Sequence, residues 1–482
     1  MELPNDIASC HRIILEMVSV LEDIKPQLAG YIQQIEAQRG QIARLELRVK
    51  ELESQTKQNS RNSSRPPSSD MYRPKSAFPR VKGGKVGDKE GHDGGTLKMV
   101  PGPDYIVEHR KEVCAHCGKV HFQEPVFIRG RRQVLDIPPP RVEVTEHRVL
   151  DWVCCGCQHE NQGEFPGEVS GPAQYGLRLQ TASVLFNNAY CIPRNKVQLI
   201  FKDLYGVTLN QGTLQTQQSF AYAQLEPEEA HIKEQLLKSE VVHYDETGFY
   251  VGKERYWEHV ASNDRYTYLF VHFNRGREAH DEDISILPHF QNWAIHDCWV
   301  TYFSFLACKH GVCGSHLLRE LTALIENGSK WAIKCHALLL DLYHQTDQGK
   351  SNLPPKALPK ILARYNKILQ LADREEPPPI HRPRGKPKQT KGRNLFDQLA
   401  KHHEAVLAFA VHQEVPFTNN QAERDVRLTK TKMKVSGCFR TEYGAEIYAR
   451  INPSYQQSEN SNSILSMNSI PCYLAVSQSI VQ

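Results

Sequence analysis

The chain is 482 residues long, with 59 Lys and Arg against 55 Asp and Glu and a formal net charge of +4. That length exceeds what one core organises, so three or more modules are expected, and so small a net charge is a weak argument for a polyanion partner. No apolar run is long enough to span a bilayer, and MELPNDIASCHR lacks a charged stretch followed by an apolar one, so neither a membrane span nor a secretory leader is expected.

Thirteen cysteines, several in CxxC pairs, then read as metal ligands or free thiols in a reducing cytoplasm rather than as disulfides. The charge is unevenly spread. Residues 71–100, 381–393 and 424–440 are locally basic, and three such stretches in one chain favour a polyanion.

In chain order, residues 28–52 come first with a heptad pattern. Leu28, Ile35, Ile42 and Val49 recur at one seven-residue spacing and Tyr31, Gln38, Leu45 and Leu52 at the other, which predicts a coiled coil and a homo-oligomer. The alternative is a helix packed on its own protein. KQNSRNSSRPPSSD (57–70) cannot build a core and reads as a linker that the basic, glycine-rich stretch extends.

Cys114 and Cys117 follow in CAHCG, then Cys154 and Cys157 in CCGC. The intervening residues alternate as two strands about the prolines at 138–140, so a zinc ribbon with four thiolates on Zn²⁺ is expected. Cys155 is an alternative ligand, His116 and His159 are bystanders, and reduced structural thiols are the rival reading. VQLIFKDLYGVTLNQGTL (197–214) reads as helix, a glycine turn at 205–207 and a second helix from near Asn210. This is helix-turn-helix spacing, with Leu199, Phe201, Leu204, Val207 and Leu214 as core candidates, although ordinary helical hairpins share it.

From 240 the periodicity shifts to strands: VVHYDETGFYV, RYWEHVASN and RYTYLFVHFN form a meander, and NWAIHDCW a fourth short strand. Helices are expected at 312–328, 329–346 and 395–412, with the Pro- and Lys-rich 347–395 breaking the pattern. Three antiparallel strands, a fourth strand and then helices is the layout of a ribonuclease-H-like fold.

Asp245, Asp297 and Glu423 lie on the first strand, the fourth strand and a late helix. Three carboxylates so delivered suit two Mg²⁺ (or Mn²⁺) ions that activate an attacking oxygen and stabilise a leaving one. Each acid also has a structural reading. Asp245 and Glu246 form a solvent-facing pair, Asp297 caps a turn, and Glu423 closes a capping box with Asn420. Arg427, Lys430 and Lys434 are placed on the face of Glu423 at helical spacing, which suits a metal ligand beside a phosphate backbone.

The strings NSSRPPSSD, DETGFYVGKERYWEHVA, HDCWVTYF, HLLRELTAL and NNQAERDVRLTKTKMKVSGCFRTEYGAE resemble TnpC-type transposases of the insertion sequence sixty-six family, from the coiled coil to about Arg450. The resemblance implies a leucine-zipper-like helix, a zinc-binding segment, a helix-turn-helix region and a DDE catalytic domain whose acids fall on Asp245, Asp297 and Glu423. It also implies small accessory proteins encoded by the same element. Two departures stand out. Cys313-Gly314-Ser315-His316 replaces the family's usual Cys-Asn-Ala-His, and 452–482 contains no Lys or Arg where a basic helical end is implied. A reading-frame change near codon 451 would account for the second, and a divergent tail is the alternative.

The expected fold is therefore multidomain α+β. It comprises 1–56 (coiled coil), 57–100 (disordered basic linker), 101–167 (zinc-binding β segment) and 168–235 (helix-turn-helix-like region). A ribonuclease-H-like domain at 236–451 with an insertion at about 312–415 and an atypical tail at 452–482 complete it. The expected function is a cytoplasmic, nucleoid-associated transposase. It would cut and join double-stranded DNA at element ends and target. An inactive relic that only binds DNA through its zinc segment is the alternative, and a nuclease acting on RNA–DNA hybrids a third reading.

Overall fold

The computed structural model describes residues 6–56, 58, 62, 97–109, 113–120, 128–280, 283–346, 351–378 and 389–460. Most of the 57–100 linker, residues 381–388 of the second basic stretch and residues 461–482 of the atypical tail lie outside them. The chain divides into two compact units, one of 75–175 with 194–213 and the other of 1–74, 176–193 and 214–482. No helix among the described residues is long and apolar enough to cross a membrane.

The larger unit begins with α1 (Ile7–Thr56), a single 50-residue helix. Its apolar seam starts 21 residues earlier than the sequence reading put it. Ile7, Ile14 and Leu21 continue the Leu28, Ile35, Ile42, Val49 series backwards, and all seven are exposed. Pro26, inside the helix, falls on the side of the heptad opposite the seam, where its lost hydrogen bond disturbs the apolar row least. A helix this long with an uncovered apolar seam is marginal alone.

In the smaller unit the two strands expected over 131–154 do not pair with each other, and of that stretch only residues 152–153 are in a strand. Among the described residues of this unit the strands are β1 (Trp152–Val153) and β2 (Glu160–Asn161), paired antiparallel beside the second CxxC. Nearly every side chain from 128 to 151 is exposed, and three successive prolines remove ladder donors, so nothing holds a second long pair.

Next come α2 (Leu177–Asn188), α3 (Arg194–Tyr205), α4 (Gln211–Gln224) and α5 (Glu226–Leu237). The expected turn between α3 and α4 is present, with Gly206 at φ +68°. Asn210 Oδ1 accepts the Thr213 N–H at 2.7 Å and so starts α4. Of the core candidates, Phe201 and Leu214 are buried, while Leu199 and Leu204 are exposed. α3 turns its i, i+4 face inward with Val197 and Phe201, and Leu209 in the connection before α4 is buried as well.

The larger unit's sheet comprises β3 (Val241–Val251), β4 (Glu254–Ser262), β5 (Thr267–His272), β6 (Trp293–His296) and β7 (Lys309–Val312). Its order is β5-β4-β3-β6-β7. β3–β4 and β4–β5 pair antiparallel, and β3–β6 and β6–β7 parallel. The sequence reading missed β7, a four-residue strand with no alternation to reveal it.

The helices are α6 (Gly314–Glu326), α7 (Lys330–Gln345), α8 (Leu358–Glu375), α9 (Lys391–Lys401), α10 (His403–Val411), α11 (Asn420–Asp425), α12 (Arg427–Ser436) and α13 (Glu442–Asn460). α8 corrects the expectation of a broken stretch over 347–395. Its proline sits in the first turn, where no N–H is needed, and Tyr365, Ile368 and Ala372 give it a buried face. The helix expected at 395–412 is two, divided at His402. One apolar core joins β6, β7 and α6–α10 around Trp331, Leu339 and Phe409, and a second packs α5 on β3–β5 around Leu236, Tyr244 and Phe290. A third seats α11–α13 on the sheet through Ala422, Val426 and Tyr448.

Candidate functional site

β3 and β6 run side by side with Val241 opposite Trp293 and His243 opposite Ile295. Continuing that register by two residues sets Asp245 level with Asp297, just past the end of β6. Asp245 senses the charge of Asp297, and both side chains are partly buried. Asp245 Oδ1 accepts the Glu246 N–H at 2.9 Å, and Asp297 Oδ1 the Trp299 N–H at 3.0 Å. The turn-capping reading of Asp297 thus holds for one of its oxygens.

The paired reading of Asp245 and Glu246 does not hold, because the two have different jobs. The Glu246 side chain is buried, takes a bond from Arg275 Nε at 2.7 Å, and accepts the Tyr302 hydroxyl at 2.5 Å. Arg275 lies between the Trp257 and Trp299 rings, at 4.9 and 4.3 Å from their centres. Asp245 has no such cation. Burial, then the neighbouring Glu246, then Asp297 push its carboxyl up to about 7, against the Glu246 N–H and His316.

Glu423 reaches the same end of the sheet through Asn419. That residue is buried, its Nδ2 donates to the Tyr244 carbonyl at 2.7 Å, and its Oδ1 pairs with His243 Nδ1 at 2.8 Å. Its backbone carbonyl accepts the Glu423 N–H at 3.2 Å. α11 is therefore clasped to β3 immediately before Asp245. The capping box expected with Asn420 does not form. Asn419 is the N-cap, and its side chain bonds the strand instead of the helix.

Glu423 Oε1 lies 3.5 Å from His316 Nδ1, and Oε2 lies 3.7 Å from an Arg319 amino group. Cys313, His316 and Glu423 offer ligand atoms within 4.8 Å of one another. Among the described residues this is the one His/Cys/Asp/Glu group that meets this spacing, and Asp245 and Asp297 are not part of it.

Burial alone would raise the Cys313 thiol, but the bond to His316 and its charge hold it below the usual value. Burial opposes the His316 charge as well, yet Cys313 and then Glu423 bring it to about 9. Cys313 and His316 therefore each favour the charged form of the other. Glu320, one turn beyond His316 on the same face of α6, is raised by burial, lowered by His316 and raised by Asp297. Arg319, Glu320 and Asn419 escaped the sequence reading. HLLREL falls in the helix expected at 312–328, and no local signal marks which of its polar residues turn inward.

The basic stripe needs one correction. The helix breaks at Val426, so Arg427, Lys430 and Lys434 do not continue the helical face of Glu423. They line one exposed side of α12. Its other side is fixed by Thr429, whose hydroxyl donates to the buried Glu258 at 2.5 Å, and by Lys432, whose ammonium donates to the Asn187 carbonyl at 2.7 Å.

In the smaller unit the two CxxC segments have the same local structure. The Cys114 N–H bonds the Lys119 carbonyl and the Gly118 N–H the Cys114 carbonyl; Cys154 repeats this with His159 and Gln158. Gly118 and Gln158 both have left-handed φ, +68° and +60°. The amides of Cys117 and His116 lower the Cys114 thiol, and those of Cys157 and Gly156 lower Cys154. These turns aim amide hydrogens at sulfur, as a thiolate ligand requires. The two knuckles are not drawn into one three-ligand group at that spacing.

A family model described as Transposase IS66 family matches residues 173–447, and one described as a family of unknown function (DUF6444) matches residues 21–98. No curated protein matches. The first match covers more than half of the chain, including all three acids, the parallel strands that align two of them and the helix that carries the third. The chain belongs to the IS66 family of transposases.

Proposed function

We propose that this transposase is of the DDE type and cuts and rejoins DNA with Asp245, Asp297 and Glu423 as its catalytic carboxylates. The observation that carries this is the shared register of β3 and β6, which brings Asp245 and Asp297 abreast, with Asn419 tying the Glu423 helix to the same strand. A ribonuclease-H-like fold is the matching reading of the sheet. Three antiparallel strands continue into two parallel ones, in the order third, second, first, fourth, fifth.

The donor set fits Mg²⁺ or Mn²⁺. Asp245 is an oxygen ligand held partly buried beside two further acids, whose charges His316 offsets only in part. When bound, two such ions supply Lewis-acid activation of an attacking water or 3′-hydroxyl and charge stabilisation of the leaving oxygen. The residues of the chain do the positioning. Arg275 and Tyr302 occupy the Glu246 carboxylate, while backbone N–H groups fix one oxygen of Asp245 and of Asp297, so the latter two would be the acids to hold an ion. Arg427, Lys430 and Lys434 offer charge to phosphates along α12.

Cys114, Cys117, Cys154 and Cys157 are the proposed Zn²⁺ ligands of the smaller unit. Zinc would draw the two knuckles together. The α3–turn–α4 segment would read element ends. The exposed seam of α1 would pair with a second copy, making a homo-oligomer, and accessory proteins of the same element would join the assembly. A nucleoid location follows from that reading alone.

The reading tests directly by nicking of supercoiled plasmid in Mg²⁺ or Mn²⁺ with Asp297→Asn in parallel. A metal-dependent nick reduced about 10³-fold or more in the variant supports it. Equal nicking by both proteins removes Asp297 from the site. A second reading, a binding-only relic, draws on Asn452, which is buried with neither side-chain atom hydrogen-bonded, at the point where the family pattern ends. Duplex binding with no nicking by the native protein, its accessory proteins present, would favour it.

A further inference from the structure

The start of α6 holds a donor set that Mg²⁺ chemistry does not use. Cys313 is its N-cap and fully buried, and His316 lies one turn on, so sulfur and imidazole project from the same face. Glu423 closes the group from α11, and all three ligand atoms lie within 4.8 Å. His316 Nδ1 and Glu423 Oε1 are buried, face each other at 3.5 Å, and neither has a hydrogen-bond partner. They meet only as an ion pair, without a hydrogen bond, and that spacing suits two ligand atoms of one bound cation.

Magnesium is a poor candidate, because it prefers oxygen and dehydrates reluctantly. A thiolate, an imidazole and a carboxylate suit zinc. The outer partners are those that orient zinc ligands. The Asn419 N–H donates to Cys313 Sγ at 3.2 Å, Ser315 Oγ stands 3.5 Å from the same sulfur, and Arg319 holds Glu423 by its other oxygen. Arg319 repels a cation here, while Asp245, Glu320 and Glu423 are acidic groups that also face His316.

We propose that Cys313, His316 and Glu423 form a mononuclear zinc site whose fourth position is open to water or a phosphate oxygen. The site shares Glu423 with the proposed catalytic acids, but its ligand geometry stands without them. Zinc at this position takes Glu423 Oε1 and so competes with a magnesium ion for the same carboxylate.

The test is zinc content of the full-length protein by elemental analysis, with Co²⁺ substitution to read thiolate-to-metal absorption. Cys313→Ser and His316→Gln should each bind roughly one equivalent less than the native chain while circular dichroism is unchanged. Cys114→Ser should remove a different equivalent. If Cys114→Ser changes nothing while the other two still lose theirs, the knuckle reading fails and this site stands. A full complement in His316→Gln overturns the proposal. Because His316 is partly exposed, that result remains readable even where Cys313→Ser misfolds.

Discussion

Asp245 and Cys114 are both candidate metal ligands, yet the chain holds them by different means. Asp245 sits on the central strand of a five-stranded sheet with apolar clusters on its flanks, and its neighbours are fixed by side chains from distant segments. Cys114 sits in a turn held by two backbone hydrogen bonds among residues 114–119, with exposed chain on either side. The first geometry is a consequence of folding. The second is local and waits for a ligand to become a core.

The largest expected effect separates the two directly. Stripping zinc with a chelator should abolish amide protection at Gly118 and Gln158, while β3, β4 and β6 keep theirs, as read by hydrogen exchange. A structural zinc site contributes about 10 kcal/mol or more of apparent binding energy, and a segment without a core has little else. Persistent protection at both knuckles would erase the contrast.

Within the sheet unit, the cost of holding charge in a packed site shows at Glu258. It is almost fully buried, and desolvation raises its carboxyl to about 7 against the opposing Thr429 bond. An unfolded chain releases that proton near the ordinary glutamate value of 4.5. Between those values the native state binds more protons, so stability should fall as pH rises from about 4.5 and level off above about 7. Glu258→Gln should flatten this part of the profile and raise stability at pH 8 by on the order of 3 kcal/mol. Urea midpoints across pH would check it. Parallel profiles for the two proteins would mean that the carboxylate is solvated through an opening beside α12.

Gly314 sharpens the same contrast on a smaller scale. Its N–H donates to the Phe417 carbonyl at 2.8 Å, and a Cβ there would overlap the Phe417 ring, itself packed against Phe409 and Tyr343. Gly314→Ala should cost about 1–3 kcal/mol by overpacking, more than the gain of under about 1 kcal/mol from better helix propensity. A neutral or higher melting temperature would show that Phe417 yields freely.

This difference between regions also decides what was legible in the sequence. β3, β4 and β5 carry strong β patterns, and the three acids stood out because each interrupts an apolar or basic run. β7 was too short to show a period, and α8 was hidden by prolines that fall in or before its first turn. The ribbon failed because alternation was read as pairing where no burial enforces it. At the site, Asn419 and Glu320 were invisible for another reason. Their roles depend on the approach of segments more than 100 residues apart in the first case, and on which face of an amphipathic helix meets the acids in the second.

The smallest effect concerns α12, where buried and exposed lysines lie two residues apart. Lys434 is exposed, so in duplex binding its ammonium has a phosphate to gain and no internal bond to lose. Lys434→Ala should lower the slope of log affinity against log salt by about 1 and leave the melting temperature unchanged. Lys432 is the control. Its ammonium is spent on the Asn187 carbonyl and the Tyr448 ring, so Lys432→Met should leave the slope intact and lower stability. Salt titrations of duplex binding by fluorescence anisotropy would measure both. If the two substitutions change the slope alike, α12 is not the surface that meets the backbone, and the charge that does must come from elsewhere in the chain.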